Sequence, residues 1–461
     1  MISDSREYSK IAAEEMSQQL TSVLVQSCLS FKTVELPNRV VRMAQHCLLD
    51  WAAVTLGGTS DPLADIIAET VCSESEGGSC TLVGSTRRGS QMQAALVNGT
   101  ISHALDYDDV NSRMHGHPTV AILPAVLAVA EAEGASGADL VRAFVGGYQI
   151  AGKLGAAMGE THYLRGFHAT STIGSIAAAA GCAILLKLNK HQTETALALA
   201  ATQSAGLKAN FGTMAKPLHA GKAASNGVLA ARLAQKGFSA RTNIFERDQG
   251  FGLTMSDDFS PSLAVGPDWE IEDNLFKYHA ACYLTHSSIE ALLKLRTREK
   301  IAPKDVAAVR LHVPEGHRKV CDLLDPQTGL DVKFSIRHLA ALALYGENTS
   351  SLALFSEDTA RDPKLGALRE KVELVHDHIP RVRYEVQAVV ETSDGRIMVA
   401  HHDVGEPTRD LDAQEKALRA KANALVDPVL GADAGIALFT AVSAMPAAGS
   451  VADYLNATIP N

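Results

Sequence analysis

The residues best suited to chemistry lie in one polar run, from His103 to His117, just ahead of Pro118. The run holds three carboxylates and three imidazoles, namely Asp106, Asp108, Asp109, His103, His115 and His117. Apolar, alanine-rich sequence lies on both sides of it. Because burying an acid or a histidine is costly unless the group is paired or used, we expect these side chains to form a site.

Two other motifs carry basic groups that suit the same site. The first contains Arg165 and His168, and the second contains Lys216 and His219 in a stretch rich in Gly, Thr and small residues. Small residues let the backbone approach a ligand closely. We therefore expect the second motif to contact a substrate.

The charge balance of this part of the chain predicts an anion site. Between Tyr163 and Lys222 the single acid is Glu194 among six lysines and arginines, although the whole chain has a net charge of -10. A carboxylate or phosphate substrate would account for the local excess. Solvated lysines at helix ends are the alternative, and they suit Lys187 and Lys190 better than Lys216.

The polar run is compatible with two kinds of chemistry. In one, a histidine oriented by a carboxylate acts as general acid or base beside a lysine that holds a substrate carboxylate. In the other, carboxylates and imidazoles bind a metal ion, with Asp106, Asp108, Asp109, His115 and His117 as the candidates. The spacing lacks the His pairs typical of metal sites, so we favour acid–base chemistry without a metal. Simple capping, with Asp109 or Asn111 closing a turn and His117-Pro118 starting a helix, is a third interpretation.

Composition bounds the class of protein. The chain has 461 residues, 46% of them hydrophobic and 20% charged, which is ordinary for a globular protein of two or three domains. Its acidic balance argues against nucleic acid or an anionic membrane as partner. The polar N-terminus and the lack of a membrane-length apolar run predict a cytoplasmic protein. The seven scattered cysteines predict reduced thiols and give no support for an iron–sulfur cluster.

Periodicity predicts a mainly α protein with a smaller α+β domain. Helical spacing covers residues 9–31, 40–56 and 62–72, and we expect the second of these helices to end at Gly57-Gly58. Helix signals also dominate from Gln91 to Leu233. We expect a helical domain at 1–267, an α+β lid domain at 268–404 and a helical return to the first domain at 405–461.

The lid domain has its own signals. Val306–Val313 alternates like a strand, and Tyr384–His401 predicts a hairpin that turns at Asp394-Gly395. A helix capped by Ser335 is predicted to end at Gly346. His286 lies at the start of a further amphipathic helix, where backbone amides favour anions. Asp50, inside a predicted helix, is interpreted as a structural residue.

Several motifs together resemble the MmgE/PrpD family. They are the Ala94–Asp109 run, Gly116-His-Pro, Lys216-Pro-Leu-His-Ala-Gly-Lys-Ala-Ala, Thr285-His and Lys333-Phe-Ser-Ile, in the order of that family from about residue 35 to about residue 400. The family includes 2-methylcitrate dehydratases, cis-aconitate decarboxylase and iminodisuccinate epimerase. The resemblance implies a homodimer of a discontinuous helical domain and an α+β lid, with no metal or organic cofactor.

The resemblance also implies a set of site residues. The catalytic residues would be Asp106, His117, His168, Lys216 and His286, and Lys277 would lie near the substrate. We add Arg165 and His219, from the basic motifs, as substrate-binding candidates.

The branch of the family is less sharply indicated. The segments 161–174 and 210–217 are more similar to the epimerase and decarboxylase branches than to the dehydratase of propionate metabolism. Tyr278 is followed by His279 where relatives often have proline, and Val110 stands where the decarboxylase has a hydroxyl residue.

The predicted function is a metal-independent lyase or isomerase that moves a proton at a carbon next to a carboxylate. The substrate would be a small di- or tricarboxylate, as in 2-methylcitrate dehydratase. An epimerase of an iminodisuccinate-like substrate and a cis-aconitate decarboxylase are the alternatives within the family. Outside it, a metal-dependent helical enzyme and a catalytically silent carboxylate-binding protein remain open.

Overall fold

The computed structural model describes residues 20–73, 77–264, 266–375 and 384–460. These residues form two compact units, one that runs through Asn274 and resumes at Arg409, and one that spans Leu275–Thr408. The first is helical and the second is α+β, as predicted from the periodicity. The predicted domain limits at 267 and 404 and the movement of a lid stay predictions.

The first part of the helical unit contains ten helices and one short ladder among the described residues. They are α1 (Leu20–Ser30), α2 (Asn38–Gly58), α3 (Pro62–Cys72), β1 (Cys80–Thr81), β2 (Arg88–Gly89), α4 (Gln91–Ser102), α5 (Thr119–Glu133), α6 (Gly137–Leu164), α7 (Ala169–Leu185), α8 (Lys190–Gln203), α9 (Ala215–Gln235) and α10 (Phe251–Met255). The predicted helix over 9–31 is confirmed for Leu20–Ser30, and residues 9–19 lie outside the described residues.

The predicted end of α2 at Gly57-Gly58 agrees with the structure, in which the helix runs from Asn38 to Gly58. Neither glycine adopts the left-handed conformation of a glycine cap, and Thr59 follows the helix in a right-handed one. A Cβ atom on Gly58 would lie 2.5 Å from the backbone oxygen of Ile101, so this glycine also permits a close contact.

Helices α5 and α9 of this unit pack against each other, and each also packs against α4 and α7. Their small residues let the backbones approach, as the alanine-rich sequence predicts: a Cβ on Gly99 of α4 would lie 2.8 Å from the Cα of Gly221 in α9. The polar run begins where α4 ends and stops where α5 begins, His168 immediately precedes α7, and Lys216 lies in the first turn of α9. The ends of mutually packed helices therefore carry the chemical groups.

The segment after Arg409 adds α17 (Leu411–Leu430), α18 (Ala434–Ala444) and α19 (Ala452–Asn456) to the helical unit. Helix α17 packs along α2. Lys421 of α17 and Asp50 of α2 form a buried ion pair, with 2.6 Å between Nζ and Oδ1. The interpretation of Asp50 as a structural residue agrees with this pairing.

In the described part of the chain, the α+β unit contains seven further helices and strands before its last three strands. They are α11 (His286–Glu299), β3 (Val306–His312), α12 (Gly316–Cys321), α13 (Gly329–Lys333), α14 (Ile336–Tyr345), α15 (Glu357–Arg361) and α16 (Pro363–Arg369). Strands β4 (Val372–Val375), β5 (Glu385–Thr392) and β6 (Ile397–Asp403) complete a sheet in the order β4-β3-β5-β6. Single 3-10 turns lie at Lys208–Asn210, Pro261–Ala264, Glu270–Asp273, Tyr283–Thr285, Pro303–Asp305, Leu352–Leu354 and Met445–Ala447.

The local predictions for the α+β unit are confirmed. Strands β5 and β6 pair as an antiparallel hairpin around Gly395, which has φ +84°. Ser335 caps α14 through the amide of His338, and Gly346 ends that helix with φ +78°. Helix α11 packs on β5 and β6, so His286, its first residue, is held by the core of the sheet.

Among the described residues, no helix combines the length and the apolar character that crossing a membrane requires.

Candidate active site

The polar run folds as a tight loop between α4 and α5. Asp106 and His115 both adopt left-handed backbone conformations, with φ of 50° and 54°. Asn111 and Gly116 bridge across the loop, and the side chain of Asn111 accepts a hydrogen bond from the amide of Met114. Residues with β-carbons held in this region store strain that the surrounding structure must offset, a condition common at functional sites.

Two imidazoles share one buried carboxylate at the centre of the loop. Asp108 Oδ1 lies 2.9 Å from Nδ1 of His103, and Asp108 Oδ2 lies 2.8 Å from Nδ1 of His117. Burial alone would raise the pKa of Asp108, but the charges and hydrogen bonds of the two imidazoles outweigh it and hold that pKa well below its usual range. Since Nδ1 of His117 faces Asp108, the Nε2 atom of this ring is the nitrogen left for chemistry.

Lys216 binds a second carboxylate of the run, that of Asp106. Its Nζ lies 2.7 Å from Asp106 Oδ1, and this oxygen is 3.8 Å from Nε2 of His117. The pair is partly open, with 14% of the lysine side chain and 30% of the aspartate side chain exposed. Asp108 thus contacts the two imidazoles through their Nδ1 atoms, and Asp106 pairs with the lysine.

His168 and His219 form a second imidazole pair beside the first. Their Nδ1 atoms are 3.0 Å apart, and the ring of His168 stacks on that of His103 with centroids 5.9 Å apart. Phe211 packs edge-on against His168, and Lys216 Nζ lies 5.3 Å from the centroid of the same phenylalanine. The three sequence motifs, one from the polar run and two from the basic segments, thus meet in one cluster.

Burial favours the neutral form of two imidazoles of this cluster, those of His103 and His168. It lowers the pKa of His103 to about 4, although the charge of Asp108 opposes the shift. It also lowers the pKa of His168 well below its usual range, and the neighbouring His103 and Lys216 lower it further. A neutral imidazole beside an ammonium group can accept a proton from a bound substrate.

Three predicted site residues lie apart from this cluster or in the other unit. The guanidinium of Arg165 pairs with Asp257, 3.1 Å away, in an exposed position. In the α+β unit Lys277 is buried. His286, also buried, places its Nε2 3.1 Å from the backbone oxygen of Ala281, and its ring lies against those of His279 and Tyr283.

Two members of the cluster, His103 and Asp108, were missing from the predicted site. Both stand in the polar run, so their residue types were visible. Both are buried, with His103 0% and Asp108 1% exposed, but Asp109 is also 1% exposed, so what distinguishes Asp108 and His103 is burial together with their contact to each other. Burial of a single loop residue cannot be read from periodicity, because a loop has no repeating face.

The cluster also has donors for a metal ion. His103, Asp106, Asp108 and His117 each offer an atom, and these atoms lie within 4.8 Å of one another. The ammonium of Lys216 is bound to Asp106, which disfavours a cation at the same carboxylate. The other two metal candidates are elsewhere: Asp109 accepts a hydrogen bond from Thr119, and the His115 ring lies near Tyr163.

Comparisons with known proteins agree with the resemblance. The model of the MmgE/PrpD N-terminal domain matches residues 23–264, and that of the MmgE/PrpD C-terminal domain matches residues 279–443. A cis-aconitate decarboxylase-like protein of Aspergillus oryzae is 32% identical over 312 residues, which cover 64% of this chain and 64% of that protein.

Two further relatives have reactions in their names. The cis-aconitate decarboxylase of Homo sapiens is 28% identical over 383 residues, 79% of each chain. The mitochondrial 2-methylcitrate dehydratase of Yarrowia lipolytica is 25% identical over 389 residues, 77% of this chain and 74% of that one. With family models matched over both halves, the chain belongs to the MmgE/PrpD family.

Proposed function

We propose that this protein is a metal-independent lyase that moves a proton at a carbon next to a carboxylate of a small di- or tricarboxylate. The observation that carries the proposal is the partly open Lys216–Asp106 pair, with Nε2 of His117 3.8 Å from its carboxylate oxygen. The relatives named above are a decarboxylase-like protein, a decarboxylase and a dehydratase, and both named reactions fit this chemistry.

Lys216 would bind a substrate carboxylate. A C–H bond beside a carboxylate is weakly acidic, because its loss places negative charge next to an existing one. An ammonium held at that carboxylate neutralises the first charge and stabilises the second as it develops. Asp106 keeps the ammonium in place before the substrate arrives, and the exposure of the pair lets a carboxylate reach it.

His117 and His168 would divide the proton transfer. Asp108 holds Nδ1 of His117, which directs Nε2 toward the Asp106–Lys216 pair. This is the arrangement by which a carboxylate orients an imidazole for acid–base work. His168 lies at the start of α7, where backbone amides favour a bound carboxylate and disfavour an imidazolium, so it suits the role of base.

The fate of the intermediate decides the reaction. After proton loss, hydroxide leaves in a dehydration, or the proton returns on the other face in an epimerisation. In a decarboxylation CO2 leaves and a proton is delivered. The names of the relatives make cis-aconitate the first substrate to test and 2-methylcitrate the second.

Incubation with cis-aconitate, 2-methylcitrate and other polycarboxylates in D2O, followed by proton NMR, tests the proposal. We expect turnover of at least one of them, unchanged by a chelator and without stoichiometric metal in the purified protein. Activity lost to the chelator and restored by a metal would identify the metal-dependent alternative. Binding of citrate without turnover of any substrate would identify a silent carboxylate-binding protein.

Residues of the α+β unit and Arg165 are tested in the same assay. We propose His286 and Lys277 as further catalytic and substrate-binding residues, because the family motifs that contain them are present. Loss of turnover in His286→Ala, with the fold kept, supports that role. Arg165→Ala should raise KM if Arg165 exchanges Asp257 for substrate, and an unchanged KM would remove it from the site.

A further inference from the structure

The contact between His168 and His219 joins a buried ring to a half-buried one. Their Nδ1 atoms are 3.0 Å apart, His168 is 2% exposed, and His219 has intermediate exposure. Two imidazole nitrogens can form a hydrogen bond only if one carries a proton and the other a lone pair. The tautomers of the two rings are therefore coupled.

The surrounding backbone holds this contact in place. The amide of His168 donates to the oxygen of Gly206, and the hydroxyl of Ser171 donates to the backbone oxygen of His219. Gly206 has φ +128°, and a Cβ there would lie 2.7 Å from Cβ of Ser171 and 3.4 Å from Cγ of His219. The two rings are thus positioned by three segments, namely the start of α7, residue 206 and the second turn of α9.

We infer that His219 is a proton relay, which carries protons between His168 and solvent through the shared Nδ1 contact. This inference rests on the proposed function. It replaces the expected role of His219 in binding substrate with a role in moving protons.

The transfer balances in both directions. When Nε2 of His168 takes a proton from a substrate carbon, its Nδ1 proton passes to Nδ1 of His219, and Nε2 of His219 releases a proton to water. The electron pair of the broken C–H bond stays on the substrate. Delivery of a proton runs the same steps backward, starting with water at Nε2 of His219. Abstraction followed by delivery therefore restores the original tautomers.

The charges around His168 and His219 favour release of a proton from either ring over its retention. The titratable groups that act on His168 are His103, Lys216, His117 and His219, and the one that acts on His219 is Lys216. Burial and then these groups lower the pKa of His168, and burial and then Lys216 lower that of His219. A proton that arrives at either ring is therefore released readily.

The first experiment replaces His219 with residues that cannot relay. His219→Asn places an amide atom near the position of Nδ1, so it can keep the hydrogen bond to His168 without passing a proton. His219→Ala removes both the hydrogen bond to His168 and the ability to pass a proton. We expect kcat to fall about tenfold or more in each variant with little change in KM. Exposed His191, replaced by Gln, is the matched control and should leave kcat unchanged.

Added imidazole separates a relay from a structural role. In His219→Ala it should raise kcat with its concentration, because it fills the gap and carries the proton; it should have no such effect on wild type or His191→Gln. A normal kcat in His219→Asn overturns the inference. The inference is also overturned if His219→Ala has a low kcat that added imidazole does not raise, while its circular dichroism is unchanged.

A measurement without substrate keeps this inference apart from the proposed function. In ring-15N spectra of the whole protein, tautomer exchange should give His168 nitrogen shifts between the protonated and bare values. In His219→Asn the shifts should become those of one tautomer. A single fixed tautomer in wild type overturns the relay. Exchange in a protein that turns over no polycarboxylate would leave the relay standing and reject the proposed function.

Discussion

Two lysine–aspartate pairs in the helical unit have nearly the same length and very different surroundings. Lys216 and Asp106 are 2.7 Å apart and partly open, whereas Lys421 and Asp50 are 2.6 Å apart with 3% and 2% of their side chains exposed. Lys421 also donates to the backbone oxygen of Tyr107, 2.7 Å away, and its Nζ lies 3.9 Å from the centroid of that ring.

The difference shows how burial assigns a role to the same two residue types. The buried pair has its partners supplied by the protein, so exchange for a ligand would expose two unpaired charges to a low-dielectric interior. The open pair loses little when one partner changes, because water screens it. The pairs are also linked: Lys421 fixes the backbone of Tyr107, which lies between Asp106 and Asp108.

The largest expected effect is on activity, at the open pair. Lys216→Ala should abolish measurable turnover, since a positioned charge donor contributes about a hundredfold to a thousandfold and Lys216 also binds the substrate in the proposed mechanism. The free energy of unfolding should change by no more than about 1 kcal/mol. Exposed Lys222, on the same helix, is the matched control. Near-normal kcat/KM in Lys216→Ala, with unchanged circular dichroism, would remove the anion site.

The next effect is on stability, at the buried pair. Lys421→Met should lower the free energy of unfolding by about 3–5 kcal/mol, because it leaves Asp50 charged and buried. Adding Asp50→Leu should recover much of that loss, because an apolar pair can replace a buried ion pair at little cost. Denaturant titration of both variants measures this. A stability loss in Lys421→Met equal to that in Lys216→Ala would erase the distinction between the pairs.

A third test concerns the two histidines beside the open pair. His117→Ala and His168→Ala should each lower kcat/KM about a hundredfold or more, the usual weight of a positioned acid or base. The wild-type pH profile of kcat/KM should be bell-shaped, and each variant should lose one limb. If both lose less than about tenfold, the acid–base role moves to His286.

The pH dependence of stability should differ between the two units. Burial lowers the pKa of His46, His103 and His162 in the helical unit, and of His338 in the α+β unit, to about 4 each. An unfolded histidine has a pKa of about 6.5, so the unfolded chain binds more protons between these values. Stability from these groups is present above about pH 6.5 and is lost as the pH falls toward 4.

Thermal unfolding from pH 7 to pH 4.5, followed by probes in each unit, measures this effect. The helical unit contains three of these histidines, but it also contains Asp109 and Glu270, whose pKa values burial raises to about 8 and about 7. In this pH range the two carboxyl groups are protonated in the folded chain and ionised in the unfolded chain, so they offset most of the loss in the helical unit. The α+β unit should therefore lose more stability, and equal or rising stability of that unit at the lower pH would contradict the neutral burial of His338.

The smallest effect is expected at a buried carboxylate that no lysine neutralises in the described contacts. Burial raises the pKa of Asp109 to about 8, although the hydrogen bond from Thr119 opposes the shift. The group is then mostly protonated at pH 7, and Asp109→Asn should change the free energy of unfolding by less than about 1 kcal/mol. A loss as large as that of Lys421→Met would mean that Asp109 is ionised.

Some elements were predictable because their signals are local. Ser335 and Gly346 mark the two ends of α14, since a hydroxyl satisfies free amides and glycine tolerates the left-handed end. Gly57 and Gly58 carry a similar signal and are the last two residues of α2, although the absence of a side chain at Gly58 also serves a contact with Ile101 in a distant part of the sequence. One glycine can therefore mark the end of a helix and also permit a packing contact that the local sequence does not reveal.

For this protein, the sequence by itself determined the family, the mainly α and α+β fold class, and the three motifs from which the site is built. The residue types and periodicity contain that information. Tertiary structure alone decided that Asp108 holds the imidazoles while Asp106, two residues earlier and in a left-handed conformation, holds Lys216. It also decided that Lys421, from the far end of the chain, anchors Tyr107 between them. These choices depend on loop dihedral angles and on which side chains become buried together, and neither is encoded in a repeating local pattern.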